Sequence, residues 1–431
     1  MIDDEAPQSL RTGICDLNGQ MRGKRLTGDQ LPKIEFSGLR LPLSALNVDL
    51  WGADILNSPL VFSSGDADGQ LRITDRGPVP MPWLAPGTDL VPMWLFTDDG
   101  RPFAGDPRHA LGRVLERFHR QGWKVTAAME LEFTLIDPSP EPPRAVGEVA
   151  SVLGVEELDR HAVLFDEIFQ GAKTMDIPVQ GALSESGVGQ FEINLGHGPA
   201  MRMADDVWLT KQLIRGMASK HGLAASFMAK PLPDEPGNSM HCHVSIQDRQ
   251  GRNLFDNGLH SGTSLMHAAI AGCLACMPGA TLIFAPWDNS FQRLTPETHA
   301  PTGASWGYEN RTTAIRVPGG DPAARRIEHR VPGADANPYL ALATILGSML
   351  IGVEDELSPP EPVIGNAYEQ RALKLPLDWD TAIKSFSESP KMTRILPPAI
   401  ISYYVAMKRQ EQRRMADLSP EAQLRVMLQG V

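Results

Sequence analysis

Cysteine is scarce in this sequence. Four in 431 residues leave no disulfide framework, so a reducing compartment is expected. Cys273 and Cys276 form a lone C-x-x-C in an apolar, helical-looking stretch and read as buried small hydrophobes. Positive charge is short as well: 40 Lys and Arg against 52 Asp and Glu give a net charge of −12, which disfavours nonspecific nucleic-acid binding. A signal core is missing, because the start, Met1-Ile2-Asp3-Asp4-Glu5, is acidic. Long apolar runs are few. Ala268 to Trp287 is interrupted by Pro278-Gly279 and reads as a helix, a turn and a strand. Ala336 to Val353 is shorter than a span of about 20 residues and is closed by Glu354-Asp355-Glu356. The expectation is a soluble, cytoplasmic protein with no membrane and no nucleic-acid partner.

What is present argues for a packed, loop-rich globular chain, with 42% hydrophobic residues, 39 Gly and 36 Pro. Its length implies more than one unit, since one core rarely grows past roughly 250–300 residues. Residues 1–103, rich in Pro, Gly and Asp, suggest a small sheet-containing domain. A helix then starts clearly: Asp106 suits the N-cap, Pro107 the first turn, and Leu111, Val114, Leu115 and Phe118 share a face until Gly122. The boundary falls near 102–106. Helical patterns follow at 157–174, 204–221, 337–353 and 391–416, interspersed with short strands.

The informative features are four segments with period-2 alternation. Met129 to Leu135 places Glu130 and Glu132 on one face, and Gln190 to Leu195 groups Gln190, Glu192 and Asn194. Met240 to Ile246 aligns His241, His243 and Ser245, and in Arg326 to Arg330 two arginines flank Glu328. A single such strand reads as an edge strand with a solvated face. Four faces carrying Glu, His, Gln and Arg, with no Lys, point to one cavity. If they converge, with Glu185 just upstream of the second, five carboxylates crowd together and cannot all stay ionised unaided. Mostly oxygen ligands with few imidazoles favour Mg²⁺ or Mn²⁺ over zinc, and arginines suit anionic ligands, as in phosphoryl transfer from a nucleotide. Two motifs are decoys. Gly19 to Lys24 has three residues between its glycines where a phosphate loop needs four. Gly303-Ala304-Ser305-Trp306-Gly307 is followed by a β-like run, Thr312 to Val317, where a nucleophile elbow needs a helix.

The order of motifs resembles the glutamine synthetase family along nearly the whole chain: Asp16-Leu17-Asn18-Gly19, Glu130-Leu131-Glu132-Phe133, Gly189-Gln190, Phe227 to Pro231, Met240 to Ser245, Asn289 to Leu294, Trp306 to Arg311, Arg326 to Arg330 and Asn337-Pro338-Tyr339. The resemblance implies an α+β fold: an N-terminal β-grasp domain over 9–103, then a catalytic domain over 104–431 with a curved antiparallel sheet flanked by helices. It implies one divalent ion on Glu132, Glu185 and Glu192 and another on Glu130, His241 and Glu328. His243, Ser245, Arg316 and Arg326 match positions at ATP, and Gly237, Arg293, Arg311 and Arg330 match positions at glutamate, with Arg311 also a catalytic candidate. The implied reaction is attack of the glutamate γ-carboxylate on ATP, then of an amine on the γ-glutamyl phosphate. Self-association into rings, a dodecamer with sites shared between subunits, is also implied.

The nitrogen donor is where the sequence departs from the family. Ammonia-using members carry Glu-Ala-Pro where this chain has His299-Ala300-Pro301, and a histidine supplies no fixed negative charge for ammonium. The expected acceptor is a larger amine, such as putrescine, with His299 at the donor site. Glutamine synthesis through neighbouring Glu297, or a catalytically silent homologue, are the alternatives. Asp49, in Val48-Asp49-Leu50-Trp51-Gly52, is the candidate base, with Gly65 to Gly69 a second partial match. Gly237-Asn238-Ser239-Met240 replaces the usual Gly-Ser-Gly-Met and bears on the glutamate pocket. Tyr368 lies near the tyrosine that some bacterial members adenylylate.

Overall fold

The structure, a computed structural model, describes residues 7–431. Two sheets organise it. The first runs in the order Met21–Thr27, Ser9–Cys15, Thr88–Phe96, Asp68–Ile73, Leu39–Pro42, with Val79–Pro80 also on Thr88–Phe96. Its central pair, Ser9–Cys15 and Thr88–Phe96, is parallel, and the helix Leu31–Ser37 crosses between hairpin and sheet, a β-grasp arrangement. One face encloses its own core of Leu10, Ile14, Ile34, Leu71, Val91 and Leu95. The other face sends Cys15, Leu17, Val79 and Leu90 into the main core. Gly19 to Lys24 forms the turn and return strand of the first hairpin, so no phosphate loop is present there.

The second sheet has nine strands. Its long axis is Lys124–Asp137, flanked by Gln190–Pro199 and Met240–Gln247, with Ile327–His329 beyond the latter and Val179–Ser184 at the far edge. The alternation in sequence is realised as two faces. Met129, Leu131, Phe133, Phe191, Ile193, Cys242, Val244 and Ile246 are all buried against helices, while the polar residues between them share the opposite side. Behind the sheet pack the helices Pro107–Arg120, Ala200–Lys220, Ser264–Phe284 and Pro338–Glu354.

Asp106 caps its helix as its sequence position suggests, accepting from the amides of Arg108 (2.7 Å) and His109 (3.3 Å), and also from Leu95 of the first sheet at 2.8 Å. Asp106→Ala should therefore lower unfolding free energy by about 2 kcal/mol or more, the upper range for a lost cap, as read by denaturant titration.

Several expected elements differ. Ser264–Phe284 is one continuous helix through Pro278, not helix, turn and strand. The helix interior survives because it is packed on both sides of the proline, crossing Pro338–Glu354 closely where a Cβ on Gly272 would lie 2.1 Å from the Ser348 carbonyl oxygen. It is long and apolar enough to cross a membrane, yet 78% of its most apolar window is buried inside the protein. The pattern at 157–174 is two helices, Val155–Asp159 and Ala162–Thr174, and that at 391–416 is split before Pro398. Of the run Thr312 to Val317 only Ile315–Val317 is strand. Ser305 lies between two short strands with no helix following, so the elbow motif is accidental. Cys273 and Cys276 are free and buried.

Candidate active site

Sheet register brings the four polar faces together. Glu132 stands opposite Glu192, Glu130 opposite both Asn194 and His241, and Glu328 opposite both His243 and Arg316. Cross-strand neighbours on one face lie about 5 Å apart, so side chains nearly 200 residues apart in sequence meet. Ligating atoms of Glu130, His241 and Glu328 lie within 4.8 Å of one another, as do those of Glu132, Glu192 and His241. His241 is thus common to two groups, a role its sequence position does not announce. Glu185, expected with Glu132 and Glu192, follows the edge strand and acts on both through its charge, while the two groups themselves are made of the other residues.

The electrostatics are those of crowded carboxylates. Burial, then Glu185, pushes Glu132 up to about 7. Burial, then the charges of Glu130, Glu132 and Glu185, pushes Glu192 up to about 9. Burial and Glu130 also raise Glu185, against the pull of Arg311 and Arg330. Glu130 goes the other way: burial opposes ionisation, but bonds from His241 (3.1 Å) and His243 (2.9 Å) outweigh it and hold Glu130 well below the usual carboxylate range. Burial, then Arg330, lowers His241, which favours the neutral imidazole, against the pull of Glu130 and Glu328. Ionised carboxylates and neutral imidazole are the states in which these groups bind metal. Glu328 is fully buried; burial notwithstanding, Arg330 and then the two histidines bring it down to about 2.

Supporting bonds fix the orientations. Glu132 accepts from the Ser239 amide at 2.6 Å and from Gln190 Nε2 at 3.4 Å. Gln190 also donates to the Gly237 carbonyl (2.9 Å), and Asn194 donates to Glu192 at 2.8 Å. Gln190 and Asn194 were visible on the polar face of their strand, but nothing in the sequence assigned them this supporting role. Arg326 donates from Nε to Nδ1 of His243 at 3.2 Å, which requires the proton on Nε2, the nitrogen that donates to Glu130. Arg316 donates to Glu328 at 2.8 Å and to exposed Glu309 at 3.2 Å. Arg330 bonds both Glu328 and the His299 carbonyl, the latter at 3.3 Å. Arg293 bonds Ser239 Oγ and the Val331 carbonyl. The Nε donors of Arg293, Arg316 and Arg330 are buried without an acceptor, and guanidinium groups suit anionic ligands.

A cavity of about 1210 Å³ adjoins the cluster, with Glu130, Asn194, His243, Ser245 and Arg326 in its wall. Arg316 is not in that wall; it is engaged by Glu328 and Glu309. Gly237 packs tightly, since a Cβ there would lie 2.2 Å from the Ala229 carbonyl oxygen and 2.6 Å from Arg293 Cγ. Arg311, His299 and Glu297 are exposed on loops. Asp49 is a correction. It is fully buried, accepting from the amides of Trp51 (3.1 Å) and Ala53 (2.9 Å) on one oxygen and from Gln410 (2.9 Å) and Arg414 (2.5 Å) on the other. With both oxygens engaged within its own chain it anchors the loop to helix Pro398–Ala416 and has no free acceptor for a proton. Of the second partial match, Asp66 accepts from Ser44 Oγ at 2.6 Å and Asp68 pairs with Arg40.

Residues 104–426 match the family described as "Glutamine synthetase, catalytic domain". The chain is 35% identical to γ-glutamylputrescine synthetase PuuA of Escherichia coli (strain K12), over 97% of this chain and 91% of that protein. It is 32% identical to glutamate–isopropylamine ligase of Pseudomonas sp, over 94% and 92% respectively. A solved ADP complex of GmaS superposes with a TM-score of 0.85 at 26% identity, covering 99% of this chain and 98% of that one. Site geometry, fold and relatives agree: this chain belongs to the glutamine synthetase family.

Proposed function

We propose that the protein is an ATP-dependent carbon–nitrogen ligase that joins the γ-carboxylate of glutamate to an amine. The observation that carries this reading is the meeting of Glu130, Glu132, Glu192, His241 and Glu328 from four strands beside a cavity of nucleotide size. Two relatives are named for amine substrates, putrescine and isopropylamine, which favours an amine over ammonia here.

The donor set of carboxylate oxygens and one imidazole fits Mg²⁺ or Mn²⁺. Glu130, His241 and Glu328 would hold one ion, and Glu132 and Glu192, with Glu185 and His241 adjacent, another. Bound there, such ions neutralise charge on the phosphates. This chain's own residues do the rest. A γ-carboxylate oxygen of glutamate attacks the γ-phosphorus of ATP and ADP departs; the amine nitrogen then attacks the acyl carbon and phosphate departs. Arg330 and Arg316, held in place by Glu328, present fixed cationic charge where negative charge gathers. Arg326 fixes the tautomer of His243, and Ser245 lies beside both in the cavity wall. Arg293 and the backbone at Gly237, held by Gln190, form the wall assigned to glutamate. Gly237→Ala should raise the glutamate KM about 5- to 150-fold, the equivalent of roughly 1–3 kcal/mol of overpacking, with a smaller change in the ATP KM; steady-state kinetics checks this.

The reading extends to a cytoplasmic homo-oligomer, with residues 9–103 and 104–431 as its two domains. The test is an ADP- and phosphate-release assay with glutamate, ATP and Mg²⁺, comparing ammonium, methylamine, ethanolamine, putrescine and spermidine. The expected outcome is a higher kcat/KM for one of the organic amines. The ammonia reading keeps one observation in its favour, exposed Glu297 in the same loop as His299; a preference for ammonium would establish it. His299→Glu should raise ammonium use about tenfold, the scale of one added favourable ion contact.

A further inference from the structure

Asp335 is a buried carboxylate with no part in the two chemical steps. Its Oδ2 accepts from Ser290 Oγ at 2.6 Å and from the Ala229 amide at 3.3 Å. Its Oδ1 is buried with no donor on it, so the charge there is met only through space. A buried charge is costly unless it is compensated. Burial raises Asp335, against the Ser290 bond and the charges of Arg293 and Lys211. Lys211, buried on the helix Ala200–Lys220, donates to the carbonyls of Ala334 and Ala336, the residues on either side of Asp335. Burial lowers Arg293, against the attraction of Glu132 and Asp335. Charges of alternating sign, on Lys211, Asp335, Arg293 and Glu132, thus link the core to the metal-ligand cluster.

The two bonds on Oδ2 reach both halves of the wall assigned to glutamate. Ser290 belongs to the short turn Asp288–Arg293. Its hydroxyl accepts from the Trp287 amide at 3.1 Å and donates to Asp335, which fixes the turn that ends in Arg293. Ala229 supports the other half. Its carbonyl accepts from the Asn238 amide at 2.9 Å and packs against Gly237. The Asn238 carbonyl in turn accepts from the Ala334 amide at 3.0 Å. The circuit from Asp335 through Ala229 and Asn238 therefore closes on the residue before Asp335.

We propose that Asp335 is a positioning residue for the acid substrate: through Ser290 and Ala229 its carboxylate holds Arg293 and Gly237 in register with each other. This rests on the ligase reading above, in which Arg293 and Gly237 face glutamate. Asp335 touches no reacting atom. Its loss weakens the capture of glutamate and leaves the nucleotide side, where His243 and Arg326 hold each other, unaffected.

The test is Asp335→Asn, which keeps the shape and one acceptor but removes the charge. Steady-state kinetics at saturating amine should show the glutamate KM raised about tenfold, the scale of one weakened hydrogen bond to a charged group. The ATP KM should be unchanged and kcat nearly so. Ser290→Ala, which removes the donor, should raise the glutamate KM in the same selective way. In the double variant the two fold-changes should fall short of multiplying, because members of one bonded network do not act independently. A lowered Tm with both KM values unchanged would make Asp335 a stabilising residue only and overturn the proposal. So would equal rises in the glutamate and ATP KM, or fold-changes that multiply in the double variant. If Asp335→Asn does not fold, the KM split in Ser290→Ala decides by itself. Failure of the wild type to turn over with glutamate and any amine would instead sink the ligase reading, so the two failures are distinct.

Discussion

Glu328→Gln is expected to lower kcat by about 10²–10³-fold, the range for removing one preorganised charge contact to a transition state, and to weaken divalent-ion binding with it. The reason is that Glu328 serves two sets of partners at once. It is fully buried, ion-paired with Arg316 at 2.8 Å and with Arg330, and lies 3.9 Å from His241 Nδ1. An amide in its place offers one oxygen where two were used, and turns an NH₂ group towards a guanidinium. Breaking a buried pair in this way costs about 3–5 kcal/mol, so unfolding should come earlier as well. Glu309→Gln is the control. It removes the other partner of Arg316, but that carboxylate is 53% exposed, and exposed pairs contribute about 0–1 kcal/mol. Steady-state kinetics and cation titrations on both variants decide the matter: equal effects would mean that Glu328 is only a partner for arginines.

Divalent cations are expected to stabilise the protein, and by a margin that grows with pH. Glu132 and Glu192 have folded-state pKa values raised to about 7 and about 9 from an ordinary 4.5. A raised carboxylate contributes stability that is present in full below its unfolded pKa and is lost as pH rises through the folded value. The cation-free protein should therefore weaken between about pH 5 and pH 9. A cation displaces those protons, and each proton displaced adds about 1.4 kcal/mol of binding per pH unit while the group remains protonated. Thermal unfolding with Mg²⁺ or with a chelator, at pH 6, 7.5 and 9, should show the cation's Tm increment widening as pH rises. Glu192→Gln should flatten that slope. An increment that is constant or shrinks with pH would place the cation elsewhere.

The legibility of this protein in its sequence follows the range of the interactions involved. Period-2 alternation is a local signal. Glu130 and Glu132, His241 and His243, and Gln190, Glu192 and Asn194 were assigned to shared faces, and the strands place them so. The cap at Asp106 and the decoy status of Gly19 to Lys24 were equally local. Pro278 misled because the local rule against proline in a helix is overridden by packing around Gly272 and Gly352, which lies far off in the chain. Asp49 misled for a related reason: its partners Gln410 and Arg414 are some 360 residues away, and nothing near Asp49 reveals that its acceptors are occupied.

The sequence by itself determined which faces carry charge, because side-chain direction along a strand depends only on position parity. It also determined the family, because the order of short motifs survives without any knowledge of their contacts. Only the tertiary structure decided which charges meet. It put His241 in both ligand groups, set Glu185 to act on Glu132 and Glu192 through its charge, and tied Arg330 to both Glu328 and the His299 loop. The physical reason is that strand order and register convert positions remote in the chain into neighbours about 5 Å apart, and burial there turns ordinary carboxylates into groups that need a cation.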